Sequence, residues 1–452
     1  EKLKVRNPNM DILRIIAVLC VIGIHFFYHS GYYYTTNDNA VMYFATVLRT
    51  LCSVCVPLFM ILSGFLLCNK TLKKGYYSGI RKTIIVYILV AIACMIYKSI
   101  VGSYTLTPLT FFTGILDFTG ANYSWYIEMY IGLFLLVPFL NIIYKNLDSR
   151  KQKNILLITL IAITILPSLF NEFRFDSLEW WANPASNTET QKLIPSWWVG
   201  IYPITYYFTG CYIREYGTKI KNIYLIIALV VAVFGFGTFN FYRCYGMPFS
   251  TSNYVYWYGI EPYVMSVLIF LIISKLKLEN INVKTKFVLW KISDLVLGTY
   301  LLSFIFDAIY YYEFLNKNTT DFYARFPFMP LMILCVFVSA LISSGIINLI
   351  AALVCIFHFP AGRQKQQHRQ QRQNYPLHGP PQFRKSLSFL LREGCRSLRR
   401  ALASIWRIRS RVTLNSLPTS SSVRGRPSSR PKRRRRTFSS RGVSVLSTSA
   451  SC

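Results

Sequence analysis

Charge is scarce in this chain. Only 15% of its 452 residues are Asp, Glu, Lys or Arg, against about 25% in a soluble domain. A cytosolic globule is therefore excluded as a reading of the main body. Acids are scarcer still, 18 against 50 basic residues. Most cysteines lie inside apolar segments. Of the eleven, Cys20, Cys52, Cys55, Cys94 and Cys335 lie in apolar segments, where a thiol acts as a small hydrophobe. Only Cys244 falls in a loop placed outside, so no external pair is offered for a disulfide. Cys52 and Cys55 have redox-motif spacing, but inside an apolar helix that spacing reads as packing. No phosphate-binding glycine loop, nucleophile elbow or zinc-protease motif occurs. DNA-binding modules, soluble hydrolases and secreted disulfide scaffolds are excluded for the main body.

What is present is apolar surface in long runs: 53% of the residues are hydrophobic. About ten segments approach or exceed the ~20 residues that cross a bilayer core. They fall near 10–31, 44–68, 80–101, 123–145, 154–170, 197–214, 221–241, 254–275, 287–312 and 328–357. The first is full length and lacks a small-residue cleavage site, so it is expected to remain as a span. Basic clusters alternate with base-poor connections. Lys2/Lys4/Arg6, Lys70/Lys73/Lys74/Arg81/Lys82, Lys145/Arg150/Lys151/Lys153, Lys219/Lys221 and Lys275/Lys277/Lys284/Lys286 read as cytoplasmic. Segments around 32–43, 102–122 and 171–196 read as external. The expected fold is all-α, a polytopic bundle of about ten transmembrane helices with both termini cytoplasmic. Trp180, Trp181, Trp197, Trp198 and Trp257 are expected at the outer interface.

The net charge of +32 is unevenly distributed. Residues 1–360 carry 28 basic and 17 acidic residues, whereas residues 361–452 carry 22 basic residues and one acid, Glu393. Lysine dominates the first part and arginine the second, as in Arg424-Gly-Arg-Pro-Ser-Ser-Arg-Pro-Lys-Arg-Arg-Arg-Arg436. The chain therefore divides into a membrane domain, 1–357, and an Arg/Ser/Pro-rich tail, 358–452. The tail has no core-building composition and reads as disordered, with the look of a shifted reading frame or a fused foreign sequence. If it is native, anionic lipid headgroups are its expected contact; no stacking aromatics support a nucleic-acid role.

Ionisable groups inside spans are expensive and mark functional sites by default. The first span holds Asp11, Arg14 and His25, which fall within roughly 60° of one helix face. Arg14 and His25 stand roughly 16 Å apart along the axis, too far to touch but within reach of one long ligand. Arg14 lies near the inner boundary, where it can snorkel or pair with Asp11. His25 lies in the outer third of the hydrocarbon, where burial favours a neutral imidazole suited to general-base work. His29 is one turn on, a metal-pair spacing, but no third ligand follows, so no metal is expected. Ser63, with Gly64, sits in a span. Glu128 and Asp307 are candidates for polar lining, and Arg49 stands at the edge of a span.

The chain resembles the acyltransferase-3 family of integral-membrane acyltransferases over about residues 7–350. The resemblance rests on Asn9-Met-Asp11-Ile-Leu-Arg14 followed ten residues later by His25. Pro57-Leu-Phe to Ser63-Gly64-Phe65-Leu66, Ser124-Trp125-Tyr126-Ile127 and Leu136-Val-Pro138 come next, then Tyr206-Tyr-Phe-Thr-Gly210, Ile292-Ser293 and Gly298-Thr-Tyr300-Leu301-Leu302. Many members follow that last motif with a second histidine, where this chain reads Ser303-Phe304. The resemblance implies an O-acyltransferase of the bacterial cytoplasmic membrane. It would move acetyl from acetyl-CoA, or another acyl from its acyl-CoA, to a sugar hydroxyl of a cell-envelope polysaccharide. No permanently bound cofactor is implied. His25 would be the catalytic base, Arg14 the anchor of the donor phosphates and Asp11 its partner. Ser63, Trp125, Tyr126, Glu128 and Tyr300 would line the substrate path, and the partners would be acyl-CoA, the glycan acceptor and the bilayer. The rival class is a transporter or flippase for a lipid-linked glycan with His25 in a proton relay.

Overall fold

The computed structural model describes residues 7–358 apart from Lys74, Asn187, Thr188 and Glu279, and only the backbone of 354–358. Lys2, Lys4 and Arg6 and the basic tail from residue 359 onward lie outside the described residues. The helices in chain order are α1 Pro8–His29, α2 Ala40–Cys52, α3 Cys55–Leu67, α4 Arg81–Ile100, α5 Pro108–Leu116, α6 Trp125–Lys145, α7 Arg150–Thr164 and α8 Pro167–Phe170. They continue with α9 Leu178–Ala182, α10 Tyr202–Tyr216, α11 Asn222–Arg243, α12 Ile260–Ser274, α13 Val283–Asp307, α14 Asn316–Asn318, α15 Phe322–Arg325 and α16 Met329–His358. The described residues contain no strand, only isolated bridges between 36–37 and 245–248. An all-α membrane bundle is what long apolar runs dictate, because a helix satisfies its own backbone polar groups in lipid.

Nine helical stretches among the described residues are long and apolar enough to cross a bilayer. The tenth expected span is α10, entered through a 3-10 turn at Val199–Ile201 and packed against α3 and α7. Its early turn meets the Trp257 carbonyl through Tyr206, and its last turns meet Arg150 and Lys153 through Tyr212 and Glu215. The second expected span is not one helix. It breaks at Ser53–Val54 between α2 and α3, so Cys52 ends one helix and Cys55 begins the next. The connection over 102–122, expected outside, contains α5, which begins in a capping box at Thr107–Thr110. Nor does Trp180 sit at a lipid interface. It is 3% exposed, packs on Phe173 and Trp181 and donates its indole N–H to the Glu189 carbonyl. Trp197 and Trp198 are exposed.

Helix α1 is the hub, touching α13, α3, α16, α2 and α12. Its start is capped by Asn7, whose side chain accepts the Asn9 N–H. Asn9 Nδ2 donates to the carbonyls of Ile273 and Leu276 at the end of α12. The other end of α1 is held by Asn316, which donates to the His29 carbonyl, and by Arg325, which donates to the Ser30 carbonyl. Both ends of the hub are therefore pinned by side chains from distant sequence. Between α3 and α10 the backbones nearly touch. A Cβ at Gly64 would lie 1.9 Å from the Tyr207 carbonyl oxygen, and one at Gly210 would lie 2.1 Å from that of Ile61. Only glycine permits this approach.

Candidate functional site

Asp11 and Arg14 meet on α1: Arg14 Nη1 donates to Asp11 Oδ1 at 2.9 Å. The sequence spacing of three already places the two side chains together. The structure adds a third member from α13. Ser293 donates to the same Asp11 oxygen at 2.7 Å and accepts from Arg14 Nη1 at 3.1 Å. Asp11 is 2% exposed, and a carboxylate buried that deeply needs such partners. Lys82, at the start of α4, stands beside this trio and pairs with Asp294 Oδ2 at 2.8 Å.

From this charged end a cavity of ≈ 390 Å³ runs into the bundle. Arg14, Lys82, Ser293 and Asp294 line its polar end, whereas Val21, Val56, Phe59, Leu62, Ile127 and Val296 form its apolar walls. Ser63, Tyr126, Tyr130 and Tyr300 add hydroxyls to the lining. Ser63, Tyr126 and Tyr300, expected as lining, are thus brought together with Arg14. Two other expected members are placed elsewhere. Trp125 is not in the lining but stacks on Trp257 at 5.8 Å and 15°. Glu128 is exposed in the first turn of α6, where a carboxylate complements the positive end of the helix dipole.

His25 stands one turn beyond the lining residue Val21, about 6 Å further along α1. Its Nδ1 lies 3.1 Å from Asp307 Oδ2, and Asp307 is fully buried. The Tyr123 ring lies against the imidazole, centroid to centroid 3.9 Å, and its hydroxyl donates to Asp307 Oδ2 at 2.9 Å. Tyr300, at the cavity wall, donates to the Tyr123 carbonyl. A carboxylate at Nδ1 favours the tautomer that keeps Nε2 basic.

Local structure sets this geometry. Asp307 is the last residue of α13, and the chain runs on through a π-helical segment, Ala308–Leu315. Such segments are uncommon and recur at functional sites. Tyr123 is delivered by a tight turn in which Phe118 takes φ 61°, a conformation that non-glycine residues hold only when their surroundings enforce it. Here Ser124 donates to the Phe118 carbonyl, and the Phe118 ring stacks on Tyr87 at 4.8 Å.

The sequence signalled Asp307 only as a carboxylate in an apolar run, and its partnership with His25 was not visible. Tyr123, Tyr130 and the Lys82–Asp294 pair carried no periodic signal. Ser303, directly after the Gly298–Leu302 motif, is fully buried and donates to the Tyr300 carbonyl. Both nitrogens of His29 meet tyrosine hydroxyls, those of Tyr312 and Tyr123.

No curated protein and no solved structure matches the chain. A family model for an acyltransferase domain matches residues 7–349, which spans both the Arg14 trio and the His25–Asp307 pair. The chain is a multi-pass membrane acyltransferase and belongs to the acyltransferase-3 family.

Proposed function

We propose that this enzyme transfers an acyl group, acetyl in the simplest case, from a cytoplasmic acyl-CoA to a sugar hydroxyl of a cell-surface or exported polysaccharide. The observation that carries the reading is the cavity itself. It is charged and phosphate-compatible at the Arg14–Lys82 end, apolar along its walls and ends one helical turn short of a histidine–carboxylate pair. Arg14 and Lys82 supply charge-assisted contacts for the donor phosphates, and Asp11 with Ser293 holds the guanidinium in place. The apolar walls suit the pantetheine arm, with Ser63, Tyr126 and Tyr300 offering hydroxyls along it. Placing the basic end in the cytoplasm follows the charge bias of the connections.

The chemistry then falls to His25. Its Nε2 takes the proton from the acceptor hydroxyl as the oxygen attacks the thioester carbonyl. The carbon–sulfur bond breaks, the ester bond forms, and the leaving thiolate takes up a proton to give free CoA. Asp307 fixes the tautomer and stabilises the imidazolium that forms in passing, as a carboxylate behind a catalytic histidine does.

Purified protein in lipid, supplied with acyl-labelled CoA and a polysaccharide extract, should transfer label to the glycan, and His25→Ala should abolish the transfer. Equal labelling by His25→Ala removes the base assignment. Passage of a glycan across the bilayer without gain of label favours transport instead.

A further inference from the structure

The polar end of the cavity is open, and its own charges nearly cancel. Arg14 is matched by Asp11 and Lys82 by Asp294, and the side chains of Lys82 and Asp294 are both exposed there. A coenzyme A donor brings a diphosphate and a third phosphate on its ribose. Further cations stand just outside, at the mouth: Arg81 at the start of α4, and Lys286 and Lys291 on α13.

Helix α13 leads from the cavity to that mouth. Its lining members Ser293, Asp294, Leu297 and Tyr300 share one face by helical periodicity. Three and four residues before Ser293 and Asp294, the same face carries Trp290, and four before that Lys286. Trp290 therefore stands one turn outside the cavity, about 5 Å along the axis. The indole is half-buried. Lys291 holds its ammonium 4.8 Å from the centre of that ring, and Phe287 meets the indole edge to face at 5.6 Å.

A second observation comes from α16. Ser344 donates to the Leu295 carbonyl and Tyr310 meets Ser339, which sets α13 and α16 antiparallel. Asn348, one turn beyond Ser344, therefore lies level with Asp294 and lines the same polar end. Its Nδ2 donates to the Ser344 carbonyl, but its buried Oδ1 accepts from no group among the described residues. A bare acceptor in a polar cavity calls for a donor from outside the chain.

We propose that the mouth is a nucleotide subsite, in which Trp290 stacks on the adenine of the acyl donor, Lys291 meets its ribose phosphate and Asn348 accepts from a ribose hydroxyl. The proposal rests on the donor being a coenzyme A thioester and adds what selects that donor. Order along α13 then matches order along the molecule. The base lies at Trp290, the diphosphate at Arg14 and Lys82, the arm along Leu297, and the thioester toward Tyr300, at the end nearest His25. An acyl group on phosphopantetheine alone, as a carrier protein presents it, would fill the cavity but leave the mouth unused.

The test compares three donors with full-length protein in detergent: acetyl-CoA, acetyl-dephospho-CoA, which lacks the ribose phosphate, and acetyl-phosphopantetheine, which lacks the whole nucleotide. The wild-type KM should rise in that order. Trp290→Ala should raise the KM of the first two about 10- to 100-fold, the loss of one base stack. It should leave KM and kcat for acetyl-phosphopantetheine unchanged, which also shows that the variant folds. Trp290→Phe, which keeps a ring, should recover most of the loss, and Lys291→Gln should raise the KM of acetyl-CoA alone. The subsite is overturned if the wild type takes acetyl-phosphopantetheine at the KM of acetyl-CoA. It is equally overturned if Trp290→Ala weakens all three donors alike, as a lost membrane anchor would. Calorimetric binding of adenosine bisphosphate, the nucleotide fragment of coenzyme A, requires no transfer and separates the two ideas. Binding to the wild type but not to Trp290→Ala, in protein that labels no glycan, keeps the subsite and removes the transfer reading. No binding beside intact transfer removes only the subsite.

Discussion

The contrast between Arg14 and His25 is one of distance from partners. Arg14 finds its carboxylate three residues away, whereas His25 finds its own 282 residues away. Arg14→Ala should raise the donor KM about 10- to 100-fold, the loss of a charge-assisted contact of about 1.5–3 kcal/mol, with kcat little changed. Arg14→Lys should recover only part, because an ammonium cannot reproduce the guanidinium's planar fork to Asp11 and Ser293. Steady-state kinetics with varied acyl-CoA check both. Asp307→Asn keeps the shape but removes the charge and lets an amide N–H face His25. It should lower kcat on the order of ten-thousandfold, as loss of the carboxylate does in other histidine–carboxylate pairs, without raising the donor KM. An unchanged kcat would mean that the 3.1 Å approach has no catalytic role.

Helices carry these residues, and their crossings set the tolerances. The α3–α10 contact is the tightest test, since a methyl at Gly64 would collide with a backbone carbonyl that cannot rotate away. Gly64→Ala should destabilise the protein by about 3 kcal/mol or more through overpacking, read as a lowered Tm in detergent. The motif Ser63-Gly64 thus has two separate meanings: the serine faces the cavity, and the glycine is there for the crossing. A second element-scale prediction concerns the segment after α8. Glu172 accepts from the Asn253 backbone N–H and side chain, and burial lifts its pKa above the ordinary carboxylate value. A raised pKa means that the folded state prefers the protonated acid. Its stabilising contribution is therefore full below the unfolded pKa and fades as pH rises through the folded one. Protease cleavage within 171–196 should become faster from mildly acidic to neutral pH, and Glu172→Gln should flatten that dependence.

At the scale of the whole molecule, the alternation of basic and base-poor connections predicts sidedness. In intact cells, an impermeant thiol reagent should label Trp197→Cys from outside and leave Lys151→Cys unlabelled until the membrane is opened. Labelling in the reverse order would invert the orientation and move the donor to the other face. The architecture itself was legible from residue order, because hydrophobic length is a local property: a run of about 20 apolar residues must become a helix in lipid whatever surrounds it. The Asp11–Arg14–His25 stripe was legible for the same reason, as helical periodicity fixes which side chains share a face. Periodicity could not show where a helix stops for reasons of packing. The break at Ser53–Val54, the 3-10 turn into α10 and the π-helical turn after Asp307 are all set by neighbours distant in sequence. The assembled site belongs to the same class. Ser293 on Asp11, Asp307 on His25 and Tyr123 on His29 each join segments about 90 or more residues apart. By itself the sequence determined a membrane bundle with an arginine and a histidine on one face of its first helix. Only the packing of α13 and the turn before α6 against that helix decided which carboxylate and which tyrosine surround the imidazole, because those contacts depend on how helices cross rather than on how any one of them is spelled.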